Sequence, residues 1–214
     1  MGRCSGLIAI PAFNEELTIE KVILGCLQHE NWDVLVIDDA SSDRTERLAR
    51  QHPVKFMKNK NNQGYEKALN IAYEYAKSHK YKYVCFMDAD GEHDPIFLNQ
   101  FSFQDDEFYI KIGLRTWFNR PSEKIAAILG RLVYGIEDPY CGLKAYNLRV
   151  LEYIQTFSGP GDKIGTGLAR EIVGRYGKSV IQNVKIDGIK RQGPSKFSVN
   201  SLYTNVQLIL NHYF

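Results

Sequence analysis

Tyr83-Val84-Cys85-Phe86-Met87-Asp88-Ala89-Asp90 is an apolar run that ends in two carboxylates one residue apart. The run has the length of a strand buried on both faces, the kind found in parallel sheets. Successive strand residues point to opposite faces. For both acids to converge, the chain must therefore bend at Ala89. Such a pair at a sheet edge suits a hard divalent cation, because Mg²⁺ takes one or two carboxylates together with substrate phosphates. Glu92 follows two residues later and could add a third oxygen. The alternative is a solvated acidic turn, and a bare D-x-D does not exclude it.

The sequence before this run alternates in character. Leu7–Ile10 and Val34–Ile37 are short continuous apolar strands, and Lys55–Met57 is a further short strand. Between them, Glu15–His29 carries apolar residues at helical spacing, and Asp43 can cap a helix running through Gln51. A further helix is expected from Gly64 to Ser78, with Ala68, Leu69, Ala72, Tyr75 and Ala76 on one side. A β-α-β-α-β-α-β order predicts a mostly parallel, doubly wound α/β sheet. Ligands bind such sheets outside the carboxyl ends of the strands. The polar clusters Pro11–Glu15, Asp38–Asp43 and Asp88–Asp94 fall at those ends.

The second half is less regular. Strands are expected at Phe108–Gly113, ending at Arg115, and at Val180–Ile186, and helices at Ile125–Tyr134 and Gly165–Tyr176. Glu137–Gly142 and the basic stretch Lys190–Lys196 read as loops. No linker or repeat interrupts the chain, which predicts one domain over residues 1–198 followed by an amphipathic helix over 199–214. That helix has Val199, Leu202, Tyr203, Val206, Ile209, Leu210 and Tyr213 on one side. It would pack on the core or another subunit, or lie on a membrane surface, although it has no Lys or Arg of its own.

A length of 214 residues suffices for one full α/β core. A net charge of +2 gives no reason to expect a nucleic-acid partner. Cysteines at 4, 26, 85 and 141 form no C-x-x-C pair and suggest reduced thiols in the cytoplasm. Six residues before the first strand are too few for a signal peptide, and no apolar run reaches the ~20 residues of a membrane span. The expectation is a cytoplasmic protein, soluble or peripheral at the cytoplasmic face of a membrane.

Ile10-Pro11-Ala12-Phe13-Asn14-Glu15, Val36-Ile37-Asp38-Asp39-Ala40-Ser41-Ser42-Asp43, Asn62-Gln63-Gly64 and Met87-Asp88-Ala89-Asp90 occur in order. Gly113-Leu114-Arg115, Asp138-Pro139-Tyr140-Cys141-Gly142-Leu143-Lys144 and Arg191-Gln192-Gly193-Pro194-Ser195-Lys196 follow. The set resembles family 2 glycosyltransferases of the GT-A fold, in particular the dolichyl-phosphate mannosyl- and glucosyltransferase branch. No single motif is specific; their common register over roughly residues 6 to 197 is.

The resemblance implies an inverting, metal-dependent transfer of mannose or glucose from a GDP- or UDP-sugar to a polyprenyl or dolichyl phosphate. Pro11, Ala12, Asn14, Glu15, Asp38, Asp39, Gly64, Lys67, Asp88, Ala89 and Asp90 would contact the nucleotide sugar. Asp38 and Asp39 also have a plain reading as a turn and helix cap. Where the branch often has a second glycine, this chain has Glu66. Asp88, Asp90 and Glu92 would hold Mg²⁺ or Mn²⁺, with Glu92 standing where many relatives have Gln. His93, beside this loop, reads as a neighbour of the site or a solvated side chain rather than a ligand.

Arg115, Arg131, Lys144, Arg191 and Lys196 would hold phosphate groups against their mutual repulsion, and Arg120 and Lys124 are further candidates. Asp138 depends on the acceptor. A sugar hydroxyl needs a base to remove its proton, whereas a phosphate monoester, with a second pKa of about 6, is already ionised. With a phosphate acceptor, Asp138 would position other groups. The rivals are transfer to a saccharide hydroxyl with Asp138 as base, a sugar-phosphate nucleotidyltransferase, and a non-catalytic nucleotide-sugar-binding module. A nucleotidyltransferase would need a Gly-rich, Lys-containing loop where Pro11–Glu15 stands.

Overall fold

Continuous apolar runs need cover on both faces, and the three such runs obtain it in the middle of the sheet. A computed structural model gives the fold of residues 5–103, 109–116, 121–149 and 166–187. β1 (Gly6–Ala12) is buried along its whole length. It pairs in parallel with β2 (Trp32–Asp38) on one side and β4 (Tyr83–Phe86) on the other. β3 (Lys55–Lys58) adds in parallel to the outer side of β2. The helices between them are α1 (Ile19–Cys26), α2 (Thr45–Ala49) and α3 (Tyr65–Ser78). The chain passes from β1 outward to β2 and β3, then returns to the other side of β1 for β4. This reversal opens a crevice at the carboxyl ends of β1 and β4.

Beyond β4 the sheet changes direction. β6 (Lys144–Asn147) inserts antiparallel between β4 and β5 (Ile110–Arg115), and β7 (Ile181–Ile186) pairs in parallel with β5. Among the described residues the order is β3-β2-β1-β4-β6-β5-β7. α4 (Pro121–Tyr134) and α5 (Thr166–Tyr176) complete the second half. This is the expected mostly parallel GT-A sheet. The antiparallel β6 and the 3-10 segment Pro95–Phe101 were not expected from the sequence.

Two local expectations are corrected. α1 starts at Ile19, not Glu15, because the backbone before it is bonded elsewhere: Glu15 N–H donates to Thr45 Oγ1 at 2.8 Å and Glu16 N–H to Asp43 Oδ2 at 3.1 Å. On α3 the buried aromatic residue is Tyr73; Tyr75 is only half-buried and stacks on His79, with ring centroids 3.9 Å apart. β5 ends at Arg115, as expected, so that side chain belongs to the strand itself. No helix among the described residues is long and apolar enough to cross a membrane. The expected helix over 199–214, the loop with Arg191 and Lys196, and Arg120 lie outside the described residues.

Candidate active site

The carboxyl ends of β1 and β2 are tied by their loops. Asp39 N–H donates to Ala12 O at 2.8 Å. Asn14, with φ of +52°, donates its N–H to Ser41 Oγ and accepts from Ser42 N–H at 2.8 Å through Oδ1. Ala40, between the acid pair and these serines, also has a left-handed backbone, φ +63°. Pro11 and Ala12 are buried beneath this turn. Non-glycine residues in this region carry strain, which gathers where structure is fixed for a ligand.

Asp38 and Asp39 have different roles in the structure. Asp39 is buried and accepts from Asn59 Nδ2 at 2.6 Å, Gln63 N–H at 2.9 Å and Gly64 N–H at 2.7 Å. It therefore fixes the loop that leads into α3. Gly64, with φ of +90°, makes the turn into the helix possible. Asp38 is fully buried, and its Oδ1 accepts from Ser41 N–H. Its Oδ2 has no hydrogen bond, and the Lys58 ammonium stands off at 3.5 Å. Lys67 is exposed and lines an open groove between α3 and β3 with Met57, Asn70 and Ile71.

At the end of β4 the chain turns at Ala89-Asp90, as the acid pair required. Asp90 Oδ1 accepts from Glu92 N–H at 3.0 Å. Asp88 Oδ1 accepts from the Tyr65 hydroxyl at 2.8 Å. Tyr65 is 40% exposed overall, but the surroundings of its hydroxyl, and then the Asp88 charge, push the phenol above its ordinary pKa. Ligand atoms of Asp88, Asp90 and His93 lie within 4.8 Å of one another, the one such group among the described residues. Glu92 is not part of that group.

His93 is buried rather than solvated, at 2% exposure. Its Nε2 is 3.3 Å from Cys141 Sγ, and its Nδ1 has no hydrogen-bond partner. Burial depresses its pKa to about 4, against the raising influence of Asp90, so the ring is neutral at pH 7. Two carboxylates and a neutral imidazole are a suitable donor set for Mn²⁺, and Mg²⁺ is served by the carboxylates. The spacing D-x-D-x-x-H was the signal that could have drawn attention to His93.

Beside this group lies a buried ion pair. Arg115, at the end of β5, donates through Nε to Asp138 Oδ2 at 2.7 Å and through Nη2 to Asp138 Oδ1 at 3.0 Å. Glu123 on α4 adds a carboxylate 3.7 Å from Nη2. Burial works against the guanidinium's charge, but the Asp138 bonds outweigh it and hold the group above its ordinary pKa. Lys144 is buried as well, donates to Pro139 O at 3.0 Å, and is pushed below its usual range by burial. Arg131 and Lys124 are exposed on α4, and Glu15 is half-buried in the loop after β1.

The family model for Glycosyl transferase family 2 matches residues 7–125, more than half of the chain. The chain belongs to glycosyl transferase family 2. It is thus a glycosyltransferase, and its sheet is that of the GT-A fold. An uncharacterised protein of Methanocaldococcus jannaschii is 27% identical over 200 residues, covering 83% of this chain and 86% of that protein. The dolichol-phosphate mannosyltransferase of Pyrococcus furiosus is 26% identical over 220 residues, covering 92% of this chain and 60% of that enzyme. This chain thus spans less than two thirds of the Pyrococcus enzyme's length. Among solved structures, glucosyl-3-phosphoglycerate synthase from Mycobacterium tuberculosis, in complex with Mn²⁺, UDP and glucosyl-3-phosphoglycerate, superposes with a TM-score of 0.79. The match covers 97% of this chain and 79% of that one at 18% identity, and it bears on fold alone.

Proposed function

We propose that this glycosyltransferase moves a hexose, mannose or glucose, from a GDP- or UDP-sugar to a polyprenyl or dolichyl phosphate, inverting the anomeric centre. The reading rests on one observation: Asp138 is 1% exposed and both its oxygens are engaged by Arg115. A carboxylate held in this way is suited to orienting a guanidinium. It is poorly placed to meet an incoming hydroxyl and take its proton, since a base must come within hydrogen-bond reach of the proton it removes. A phosphate nucleophile needs no such base. The similarity to the Pyrococcus enzyme, whose name specifies dolichol phosphate, supports the same acceptor class.

In this scheme the loops after β1 and β2 hold the nucleoside, with Asn14, Glu15 and the buried Asp38 at its edge. Asp39 acts indirectly by fixing the turn at Gly64. Asp88, Asp90 and His93 would hold Mg²⁺ or Mn²⁺, and the ion would neutralise charge on the departing diphosphate. Glu92 would face the same loop from outside this donor set. Arg115, set by Asp138, contributes fixed positive charge at the end of β5, and Arg131, Arg191 and Lys196 would engage the acceptor phosphate.

The test compares polyprenyl phosphate with simple alkyl glycosides as acceptors, using a panel of GDP- and UDP-sugars with Mn²⁺. Transfer to the phosphate is expected, with Asp138→Asn retaining measurable turnover because the amide still hydrogen-bonds. Wild-type transfer confined to glycosides, together with a loss of about 10²–10⁴-fold in Asp138→Asn, would instead identify Asp138 as a base.

A further inference from the structure

Asp88 has an unusually confined seat. From one side, the Tyr65 hydroxyl in the first turn of α3 donates to Oδ1 at 2.8 Å. From the other, the carboxylate lies directly on Gly142, two residues before β6. A Cβ at position 142 would stand 1.8 Å from Asp88 Oδ2 and 2.3 Å from its Cγ. No side chain fits there while Asp88 keeps its rotamer. The turn that carries Tyr65 is itself fixed, because Asp39 binds the N–H groups of Gln63 and Gly64.

We propose that Tyr65 and Gly142 are positioning residues that hold the Asp88 carboxylate in its cation-binding orientation before any ion arrives. Three separate elements then build one donor: the end of β4 supplies the carboxylate, α3 the hydrogen bond, and the turn before β6 the space. The inference rests on Asp88, Asp90 and His93 being a cation site. Partners that orient a ligand set its affinity, and their loss typically weakens metal binding by about 10–100-fold. The atoms that an added methyl at 142 would meet are those of the Asp88 carboxylate, the end of a side chain that can rotate, and not backbone. Asp88 can therefore swing away while the backbone stays, which separates an effect on the ligand from an effect on the fold.

The experiment measures Mn²⁺ binding to the full chain by electron paramagnetic resonance, for wild type, Tyr65→Phe, Gly142→Ala and Asp90→Ala. Thermal unfolding is recorded on the same proteins in EDTA. Tyr65→Phe and Gly142→Ala are expected to weaken Mn²⁺ binding by tenfold or more with metal-free melting unchanged, while Asp90→Ala loses binding. If Gly142→Ala does not fold, Tyr65→Phe alone decides. Wild-type affinity in Tyr65→Phe, alongside lost binding in Asp90→Ala, overturns the positioning role and leaves the cation site standing. A wild-type protein that binds no Mn²⁺ overturns both.

Discussion

Asp138 and Arg115, 23 residues apart in sequence, face each other through two hydrogen bonds of 2.7 and 3.0 Å with almost no solvent contact. A buried pair of this kind contributes little net stability when both charges are present. Removing one partner leaves an uncompensated buried charge, which costs about 3–5 kcal/mol. Arg115→Met and Asp138→Leu should each lower the urea unfolding free energy by about that amount. The double variant should lose clearly less than the sum. Strict additivity in the cycle would show that the two groups do not depend on each other.

Removing Asp90 should separate chemistry from folding. Its side chain is half-buried and its carboxylate accepts a bond from Glu92 N–H, so Asp90→Ala forfeits a charge-assisted turn contact of about 1.5–3 kcal/mol, well short of unfolding a domain. Transfer should nevertheless disappear, and with it any Mn²⁺-dependent binding of nucleotide. Calorimetric titration of UDP and GDP with and without Mn²⁺ reads this directly. Wild-type turnover in the variant, with EDTA harmless to both proteins, would remove the acid pair from the reaction.

Ala40 offers a test of strain. At φ +63° an L-residue pays about 1–2 kcal/mol that glycine does not. Ala40→Gly should be neutral or stabilise by up to about 1 kcal/mol, since part of the relief is offset by glycine's greater freedom when unfolded. Ala40→Val should destabilise, because a β-branched residue tolerates this region poorly. Denaturant midpoints at constant slope provide the comparison.

His93 predicts an acid weakness of the metal-free protein. Its folded pKa, about 4, lies below the ordinary value of 6.5 because burial disfavours the charged ring. The stability that depends on the neutral imidazole is fully present above pH 6.5. It is lost as pH falls through about 4, because the unfolded chain takes up the proton first. Urea midpoints in EDTA should decline across that window, and His93→Asn should flatten the decline. An identical pH profile in the variant would place the dependence elsewhere.

The parts of the fold legible in the sequence were those encoded by uninterrupted burial. Leu7–Ile10, Val34–Ile37 and Tyr83–Met87 are apolar on both faces, and each proved to be a central strand. Lys144–Asn147 is equally buried, yet its ends are polar, with Lys144 Nζ donating to Pro139 O and Asn147 Oδ1 accepting from Arg149 N–H; its place between β4 and β5 comes from long-range pairing that no local pattern announces. The late start of α1 has the same origin, since Thr45 and Asp43 capture the backbone that helical spacing would have extended. At the site, the carboxylates were visible because their clusters fall at the carboxyl ends of strands, where open α/β sheets bind ligands. Their relationships were not: Asp39 holding the loop at Gly64, Tyr65 reaching Asp88, and Asp138 facing Arg115 all join residues far apart in the chain.

The antiparallel β6 also shapes how this protein can be made. β4 borders β1 on one edge, and among the described residues its other edge is closed by 144–147. A nascent chain that has emerged through α4 already carries β1 to β4, yet Val84, Cys85 and Phe86 still present an open ladder of backbone donors and acceptors. Such an edge invites pairing with another chain. Translation beyond Asn147 is what seals it, so a pause or truncation between α4 and β6 would release a species prone to self-association although the loops after β1, β2 and β4 are all present.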